Sequence, residues 1–294
     1  MSVAGTAAPR PRLSTLLALG RVSNLPTVWT NALAGAVLAS AAADTAPSAG
    51  VVLAVAATLS LFYVGGMWLN DAFDAEFDRR HKTDRPIARG EIGRSTVYAV
   101  GSGLVALGVL AGAALGAPVT ALALAAAVVA YDALHKRVAW GPVMMGATRL
   151  LCYALAAAAL TGALATPVAL AGAGLFAYVV GLTYAAKNEA YDRLDGAWPL
   201  AVLALPVVYA GWQATASPAA AAAFLAFALT LGAALRRLFR RAPGDVPKAV
   251  VTMIAGMARY DATLVAAAGE TGLAALCAAG IALTLALQRI VSGT

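Results

Sequence analysis

Apolar residues run along this chain in nine long segments that alternate with polar connections. The segments cover residues 15–40, 51–70, 95–115, 118–134, 143–163, 167–187, 197–213, 218–236 and 269–289. Most are close to the roughly 20 residues that a helix needs to cross the hydrocarbon core of a bilayer. The pattern therefore predicts an all-α, polytopic membrane protein. We expect a bundle of about nine transmembrane helices that forms a single domain over residues 1–294.

The connections between these segments are of two kinds. One set is short and almost free of charge. The other set carries nearly all of the lysines and arginines, at residues 71–94, 132–137, 188–196 and 236–259. Because basic loops face the cytoplasm, we expect this set and the N-terminus to be cytoplasmic. Nine crossings would then place the C-terminus outside, with Arg289 as an exception to the rule.

The composition supports a protein embedded in the lipid bilayer. Hydrophobic residues make up 61% of the chain and charged residues only 12%, about half the roughly 25% that is usual in soluble domains. The formal charge of +7 lies in loops beside apolar segments, which argues against nucleic acid as a partner. Abundant alanine and glycine in the segments favour close helix packing.

A run of acids follows the second apolar segment, with the pattern Asn70-Asp71-x-x-Asp74-x-x-x-Asp78. Asn70, Asp74 and Asp78 recur every fourth residue, so a helix would align them on one face with about 40° of drift per step. Such a face offers oxygen ligands to Mg²⁺, which usually also holds a substrate phosphate. A solvated loop face is the alternative, but clustered acids beside a membrane favour function. Asp71 lies off this face and could contact metal through water, orient Asn70 or cap a neighbouring helix.

A basic segment comes directly after the acids. It includes Lys82 and Arg85, and residues 84–87 have the composition of a tight turn that could direct Arg85 back towards the acids. Topology alone explains many such cations. However, acids followed by bases also suit a metal-bridged diphosphate, whose remaining oxygens bind Lys or Arg.

A second acidic run, residues 187–196, follows another apolar segment on the same predicted face. Asn188 and Asp192 would share one side of a helix, and Asp195 follows three residues later. This run could hold a second Mg²⁺ on the same diphosphate, with Lys187 touching phosphate directly; a purely topological role is the alternative. Further candidate substrate-binding residues lie between the two runs: Tyr131, Lys136 and Arg137.

Together these residues resemble the UbiA superfamily of intramembrane prenyltransferases. The likeness rests on Arg21-x-x-Asn24, the first acidic motif, the 84–87 segment, the Lys136-Arg137 pair and the second acidic run. Residues 131–146 look like the EboC-type branch. The resemblance implies a nine-helix bundle with a central cavity open to lipid. It also implies Mg²⁺-dependent transfer of a prenyl group from a prenyl diphosphate to an aromatic or other lipophilic acceptor.

The resemblance implies roles for individual residues. Asn70, Asp74 and Asp78 would bind the Mg²⁺–diphosphate from one side. A second set of ligands would bind it from the other side: Asn188, Asp192 and Asp195. Members of the superfamily usually have Asp at the position of Asn188, and Asn keeps an oxygen ligand but loses a charge. The carboxylates expected to take part in catalysis are Asp71, Asp74, Asp192 and Asp195.

Polar residues in or beside the apolar segments could line the acceptor pocket. We place Arg21, Asn24 and Arg149 in this group, and the Pro26 that follows Asn24 predicts a helix break near the cavity. Two other functions remain open at this point. One is a UbiA-type terpene cyclase, which uses the same metal site without an acceptor. The other is a non-catalytic lipid-binding or transport protein with a degraded second acidic motif.

Overall fold

The computed structural model describes residues 11–187 and 196–291, and within them the chain forms helices and no strands. Eleven α-helices follow one another: α1 (Leu13–Leu19), α2 (Leu25–Ala42), α3 (Ala49–His81), α4 (Arg94–Ala114), α5 (Pro118–Leu134), α6 (Gly141–Thr161), α7 (Thr166–Ala186), α8 (Ala204–Gln213), α9 (Pro218–Arg240), α10 (Asp245–Ala267) and α11 (Thr271–Gln288). The all-α prediction is confirmed.

Most of these helices have the length and composition of membrane spans. In the described part of the chain, eight helices are long and apolar enough to cross a bilayer, and two shorter apolar segments accompany them at Pro118–Leu134 and Leu200–Ala216. The predicted fold class, a polytopic helical bundle with about nine spans, is therefore confirmed.

One predicted connection is wrong. Residues 236–259 were expected to form a charged loop, but α9 continues to Arg240 and α10 begins at Asp245. The cations crowd around a single tight turn, where Arg240 binds Asp245 through two hydrogen bonds of 2.9 and 2.6 Å. Their charge makes the start of α10 resemble a loop in the sequence. In the most apolar stretch of α10, 78% of the residues are buried inside the bundle.

The additional helix changes the end of the bundle at which α11 finishes. Gln288, the last residue of α11, donates a hydrogen bond of 2.7 Å to the side-chain oxygen of Asn24, just before α2. Therefore α11 returns to the end of the bundle at which α2 begins. The expectation that the chain would end on the opposite face does not hold for the described residues. Arg289, which follows Gln288, therefore lies at the end of the bundle that carries the other cations.

Helix α2 holds the two halves of the bundle together. It contacts α3 and α6 on one side and α10 and α11 on the other. One apolar core lies among α2 to α6 and a larger one among α2, α6, α7, α9 and α10. Small residues permit close approach between neighbours: a Cβ on Gly101 would lie 3.0 Å from the Gly65 carbonyl oxygen.

The sequence marks many helix starts with proline. Proline occupies the first turn of α2, α5, α6, α7 and α9, where no backbone N–H is needed and the fixed φ suits a helix. Pro26 confirms the predicted break: α1 ends at Leu19 and a 3₁₀ turn, Val22–Asn24, precedes α2. This break places Arg21 outside both helices.

Candidate active site

The first acidic motif lies in the last three turns of α3, which continues as one helix to His81. The four-residue spacing therefore places Asn70, Asp74 and Asp78 on one face, as predicted. Asn70, Asp71 and Asp78 are buried, whereas Asp74 is half-buried. Buried carboxylates require compensating partners, and cations from three separate segments lie around them.

Arg21 reaches the motif from the break between α1 and α2. One of its nitrogens lies 3.3 Å from Asn70 Oδ1 and 3.2 Å from Asp71 Oδ1, and another lies 3.4 Å from Met67 Sδ. Arg21 has a φ of 41°, in the left-handed region, which costs a non-glycine residue about 1–2 kcal/mol. The hydroxyl of Tyr63 donates to its carbonyl oxygen at 3.4 Å. The break thus holds the guanidinium against the motif.

The segment that follows α5 neutralises Asp74. Lys136 Nζ lies 2.8 Å from Asp74 Oδ1, and His135 Nε2 lies 3.5 Å from Asp74 Oδ2. Lys136 also lies 3.8 Å from the centre of the Phe77 ring, within cation–π range. Burial opposes a charge on His135, but the hydrogen bond and negative charge of Asp74 outweigh it and raise the His135 pKa. The ends of α3 and α5 are therefore joined by ion pairs.

Two further cations come from the loop between α3 and α4. Burial is the main factor that lowers the pKa of Lys82, and the charges of Arg85 and Arg21 add to it. The pKa of Arg85 is likewise lowered, by burial and then by Arg21. Ile87 anchors the loop in a small apolar cluster under α3. These cations repel one another, and a multivalent anion bound between them would relieve that repulsion.

Two cavities border this cluster. The first, which we call the apolar cavity, lies among α2, α3, α5 and α6, and its lining includes Phe62, Tyr63, Leu124, Tyr131 and Arg149. The second, the charged mouth, is lined by Asp74, Phe77, Lys136 and Arg137, among others. Asp132 borders both cavities. A molecule with an anionic head and an apolar tail would find both environments within one site.

A second polar network lies deeper in the bundle and fixes Arg149. The guanidinium donates to Asn31 Oδ1 at 2.8 Å, and Asn31 Nδ2 donates to Asp261 Oδ2 at 2.8 Å. Tyr153 donates to the other oxygen of Asp261 at 2.6 Å. The network connects α2, α6 and α10. It leaves Arg149 beside the apolar cavity, 5.7 Å from the centre of the Tyr63 ring.

The oxygen donors of the site fit Mg²⁺ in part. In residues 11–187 and 196–291, no three acidic, histidine or cysteine side chains converge as a group that could hold a metal. However, Asp71 Oδ2 and Asp132 Oδ2 are buried without a hydrogen-bond partner in the same ranges. Mg²⁺ is usually held by one or two carboxylates together with substrate phosphates and water. The donor set therefore suits a Mg²⁺ ion that arrives with a diphosphate.

The structure brings together many of the residues that the sequence singled out. Around the first motif it gathers Arg21, Lys82, Arg85 and Lys136, and Tyr131 and Arg149 line the apolar cavity. Asn24 lines neither cavity, and its side-chain oxygen accepts a hydrogen bond from Gln288. Lys187 is exposed at the end of α7. The other second-motif residues lie outside the described residues: Asn188, Asp192 and Asp195.

Sequence reasoning missed several polar residues of the site. Asp132 follows an apolar segment, so the rule that selected the first motif could also have selected it. His135 lies one turn further, and its contact with Asp74 depends on the packing of α3 against α5. Asn31 and Asp261 carry little signal in the sequence, because each is a single polar residue without a motif and the charge of residues 236–259 obscures the start of the helix that contains Asp261.

Comparison with known families decides the classification. The model of the UbiA prenyltransferase family matches residues 28–232, more than half of the chain. The chain belongs to this family. The predicted superfamily resemblance is thereby confirmed, whereas the EboC-type branch stays a prediction.

Two curated proteins are similar to parts of this UbiA family chain. A digeranylgeranylglyceryl phosphate synthase of Ignicoccus hospitalis is 34% identical over 120 residues, which are 41% of this chain and 38% of that protein. A protoheme IX farnesyltransferase of Sulfurisphaera tokodaii is 37% identical over 100 residues, which are 32% and 33% of the two chains. This chain thus matches only about a third of the length of these relatives.

Two solved structures share the fold over nearly their whole length. A structure of digeranylgeranylglyceryl phosphate synthase superposes with a TM-score of 0.62 and 18% identity, covering 87% of this chain and 98% of the other. An apo structure of a UbiA homologue from Aeropyrum pernix K1 gives a TM-score of 0.63 and 16% identity, covering 90% and 98%. At such identities the likeness establishes a common fold.

Proposed function

We propose that this protein transfers a prenyl group from a prenyl diphosphate to a lipophilic acceptor within the membrane. The observation that carries the proposal is the position of the charged mouth directly beside the apolar cavity, with Asp132 bordering both. The mouth offers Lys136 and Arg137 to a diphosphate, and the apolar lining of the cavity matches the chemistry of an isoprenoid chain, whose burial contributes about 0.8 kcal/mol per CH₂ group. Membership of the UbiA prenyltransferase family supports the same reaction.

The cations around the motif would bind the diphosphate. Arg21, Lys82, Arg85 and Lys136 come from three segments that meet at the end of α3, so they can contact different phosphate oxygens. Arginine suits paired contacts with phosphate, and lysine acts as a compact point charge. These donors would stabilise the charge that develops on the leaving group as its bond to the prenyl carbon breaks. Arg137, exposed at the same mouth, would add to this field.

One Mg²⁺ ion would be held on the first motif by Asn70, Asp74 and Asp78. A second Mg²⁺ ion on the same diphosphate would be held by the second motif: Asn188, Asp192 and Asp195. When bound, Mg²⁺ neutralises charge on the diphosphate as a Lewis acid. Asp71 would keep Arg21 in place through Oδ1, since the two form an ion pair of 3.2 Å, and its unpartnered Oδ2 would contact the metal, directly or through water. Lys187 would approach the diphosphate from the side of the second motif.

Aromatic rings would stabilise the carbon that loses the diphosphate. Tyr63, Phe62 and Tyr131 all line the apolar cavity. The electron-rich faces of such rings attract positive charge, an effect worth about 2 kcal/mol or more when water is excluded. The cavity walls would also keep water away from this carbon, which favours reaction with the acceptor over hydrolysis.

We further propose that the charged mouth faces the cytoplasm. The basic loops lie at the end of the bundle that contains the first motif, and the position of Gln288 beside Asn24 adds Arg289 to that end. This arrangement agrees with the positive-inside rule more fully than nine crossings would. The N-terminus and the end of the chain would then share the cytoplasmic side.

The proposal is tested by measuring diphosphate release from the purified protein in lipid nanodiscs. Prenyl diphosphates of several chain lengths are supplied with Mg²⁺ and a panel of lipophilic acceptors. We expect release that stops on chelation of Mg²⁺ and falls at least about a hundredfold in Asp74→Asn, since a charged ligand is lost from the site. The matched control is Asp44→Asn, an exposed acid between α2 and α3.

Product analysis separates transfer from the alternatives. A prenylated acceptor supports transfer, whereas a cyclic hydrocarbon formed without any acceptor would identify a cyclase. Absence of diphosphate binding at every chain length would contradict both enzymatic functions and favour a lipid-binding protein.

A further inference from the structure

Arg259 is a cation deep within the membrane-spanning part of the bundle. It lies on α10, eight residues before the end of that helix at Ala267, which is about 12 Å at 1.5 Å per residue. Lys248, the cation that precedes it on α10, is eleven residues away, or about 16 Å. The hydrocarbon core of a bilayer is about 30 Å thick, so Arg259 lies well inside it. A charged side chain at this depth usually pairs with another group and marks a functional site.

Among the described residues, the hydrogen-bond partner of Arg259 is neutral. Its Nη1 donates to the Ala226 carbonyl oxygen of α9 at 2.9 Å, and the Thr230 hydroxyl donates to the same oxygen at 2.8 Å. Within residues 11–187 and 196–291, no carboxylate forms an ion pair with Arg259. A guanidinium has five N–H donors. Most of these donors, and the positive charge, therefore remain available to a further partner.

The sequence neighbours of Arg259 show where its side chain points. Ala258 faces α11, since a Cβ on Gly280 would lie 3.4 Å from the Ala258 Cβ. Tyr260 faces α9, where its ring centre lies 5.6 Å from that of Phe227. Successive residues of a helix point about 100° apart, so Arg259 points between α11 and α9. These two helices both pack on α10 but hardly contact each other. The space between them is called the α9–α11 groove below.

The α9–α11 groove opens towards lipid. Large apolar side chains are exposed on the two helices that border it: Leu225, Leu229, Leu276 and Leu283. Arg259 itself is half-buried. Ala255 and Ala262, one turn away on either side of the same helix face, are 0% and 2% exposed. The floor of the groove is therefore closed by packing, and the long side chain of Arg259 reaches its opening.

The depth of Arg259 decides which kind of partner fits. A phospholipid carries its phosphate at the membrane surface, whereas the bond to Ala226, eight residues into α9, holds the guanidinium well below that surface. In a second copy of this chain, the described acid at this depth is Asp261, which is fully buried and bound by Asn31 and Tyr153. A carboxylate on a transmembrane helix of another protein can be held at the level of Arg259.

We propose that the α9–α11 groove binds a transmembrane helix of another protein, and that this helix carries an aspartate or glutamate opposite Arg259. The ion pair would form in a medium of low dielectric, where each charge compensates the burial of the other. Apolar side chains of the partner would pack against α9 and α11. Neither the apolar cavity nor the charged mouth is lined by α9, α10 or α11, so this interaction does not depend on the proposed prenyl transfer.

The test uses transmembrane peptides that differ in one residue. A leucine–alanine peptide of about 21 residues carries a single glutamate at its centre, and the matched peptide carries glutamine there. Association with the labelled wild-type protein is titrated by fluorescence energy transfer in phosphatidylcholine vesicles. We expect the glutamate peptide to bind at least about tenfold more tightly, because a hydrogen bond between charged groups is gained. Equal binding of the two peptides, or binding of neither, would overturn the proposal without any variant being needed.

The variant Arg259→Gln assigns the preference to this residue. It keeps a donor for the Ala226 carbonyl but removes the charge, so the two peptides should bind equally. The matched control, Arg236→Gln, removes an exposed cation of α9 and should keep the preference. A third peptide, with glutamate at its end, tests the depth and should show no preference over glutamine. A preference that survives in Arg259→Gln, or that is unchanged with glutamate at the peptide end, would overturn the proposal.

A lipid competitor separates a helix from a lipid as the partner. If Arg259 bound a lipid phosphate, native mass spectrometry would show phosphatidylglycerol retained by the wild type and lost from Arg259→Gln. Adding this lipid to the vesicles would then abolish the preference for the glutamate peptide, and the proposal would be overturned. We expect instead equal lipid retention by the two proteins, and a preference that phosphatidylglycerol changes less than about twofold.

Discussion

Lys136 Nζ lies 2.8 Å from Asp74 Oδ1 and 3.8 Å from the centre of the Phe77 ring. The ammonium thus occupies a position beside the same carboxylate that is proposed to hold Mg²⁺. Two cations cannot both lie against one oxygen of Asp74 without strong repulsion. Binding of a Mg²⁺–diphosphate would therefore shift Lys136 from Asp74 to a phosphate oxygen, and the ion pair would be exchanged rather than lost.

This exchange predicts the behaviour of Lys136 variants. Lys136→Gln should raise the KM for prenyl diphosphate about tenfold or more, because a charge-assisted hydrogen bond is lost. Lys136→Arg, which keeps the charge, should retain most of the affinity. The measurement is steady-state diphosphate release at varied prenyl diphosphate concentration. Arg236→Gln, an exposed cation on α9, is the control, and an equal rise in KM there would indicate a general effect of charge.

The ion pair between Arg21 and Asp71 predicts an effect on stability. Asp71 is 4% exposed and Arg21 16%, so Arg21→Gln leaves a buried carboxylate without its cation. We expect a loss of about 2–4 kcal/mol in the free energy of unfolding, somewhat below the value for a fully buried pair. The double variant Arg21→Gln/Asp71→Asn should recover part of that loss, because the uncompensated charge is gone. Thermal unfolding in detergent measures both, and additive losses would contradict the pairing.

Local sequence patterns were sufficient to predict the first acidic face. The four-residue spacing of Asn70, Asp74 and Asp78 needs only helical geometry, and α3 supplies it without a break. Proline marked the starts of several helices for the same local reason. The partners of these residues were harder to predict. The bonds from Arg21 and from Lys136 join segments that are about 50 to 60 residues apart in sequence, and only the packing of α1, α3 and α5 brings them together.

The misassigned α10 shows where composition misleads. Arg240 and its neighbours give the α9–α10 turn a strong positive charge, and a window that includes this turn resembles a long polar loop. The helix itself is among the most buried spans, and Asp261 lies inside it, bound by Asn31 and Tyr153. An isolated acid in an apolar helix indicates function or a buried network, but this indication requires the helix to be recognised first.

The second acidic motif gives a prediction about metal affinity. Asn188 lies outside the described residues, so the expectation depends on its sequence position and on the family resemblance. Asn188→Asp adds a charge to a proposed ligand set, and ligand charge tunes the affinity of hard cations. We expect Mg²⁺–diphosphate to bind roughly three- to tenfold more tightly, as measured by calorimetry in nanodiscs. An unchanged affinity would count against Asn188 as a ligand.

The return of α11 to the end where α2 begins predicts the membrane topology. Single cysteines introduced by Asp84→Cys and Arg289→Cys should react with an impermeant maleimide from the same side of a vesicle, and Glu270→Cys from the opposite side. The native Cys152 and Cys277 are buried, so they should contribute little background. The control is Asp44→Cys, which both topologies place opposite Asp84. Nine crossings without α10 would reverse the results for Arg289 and Glu270, because each position would then lie on the other side of the bilayer.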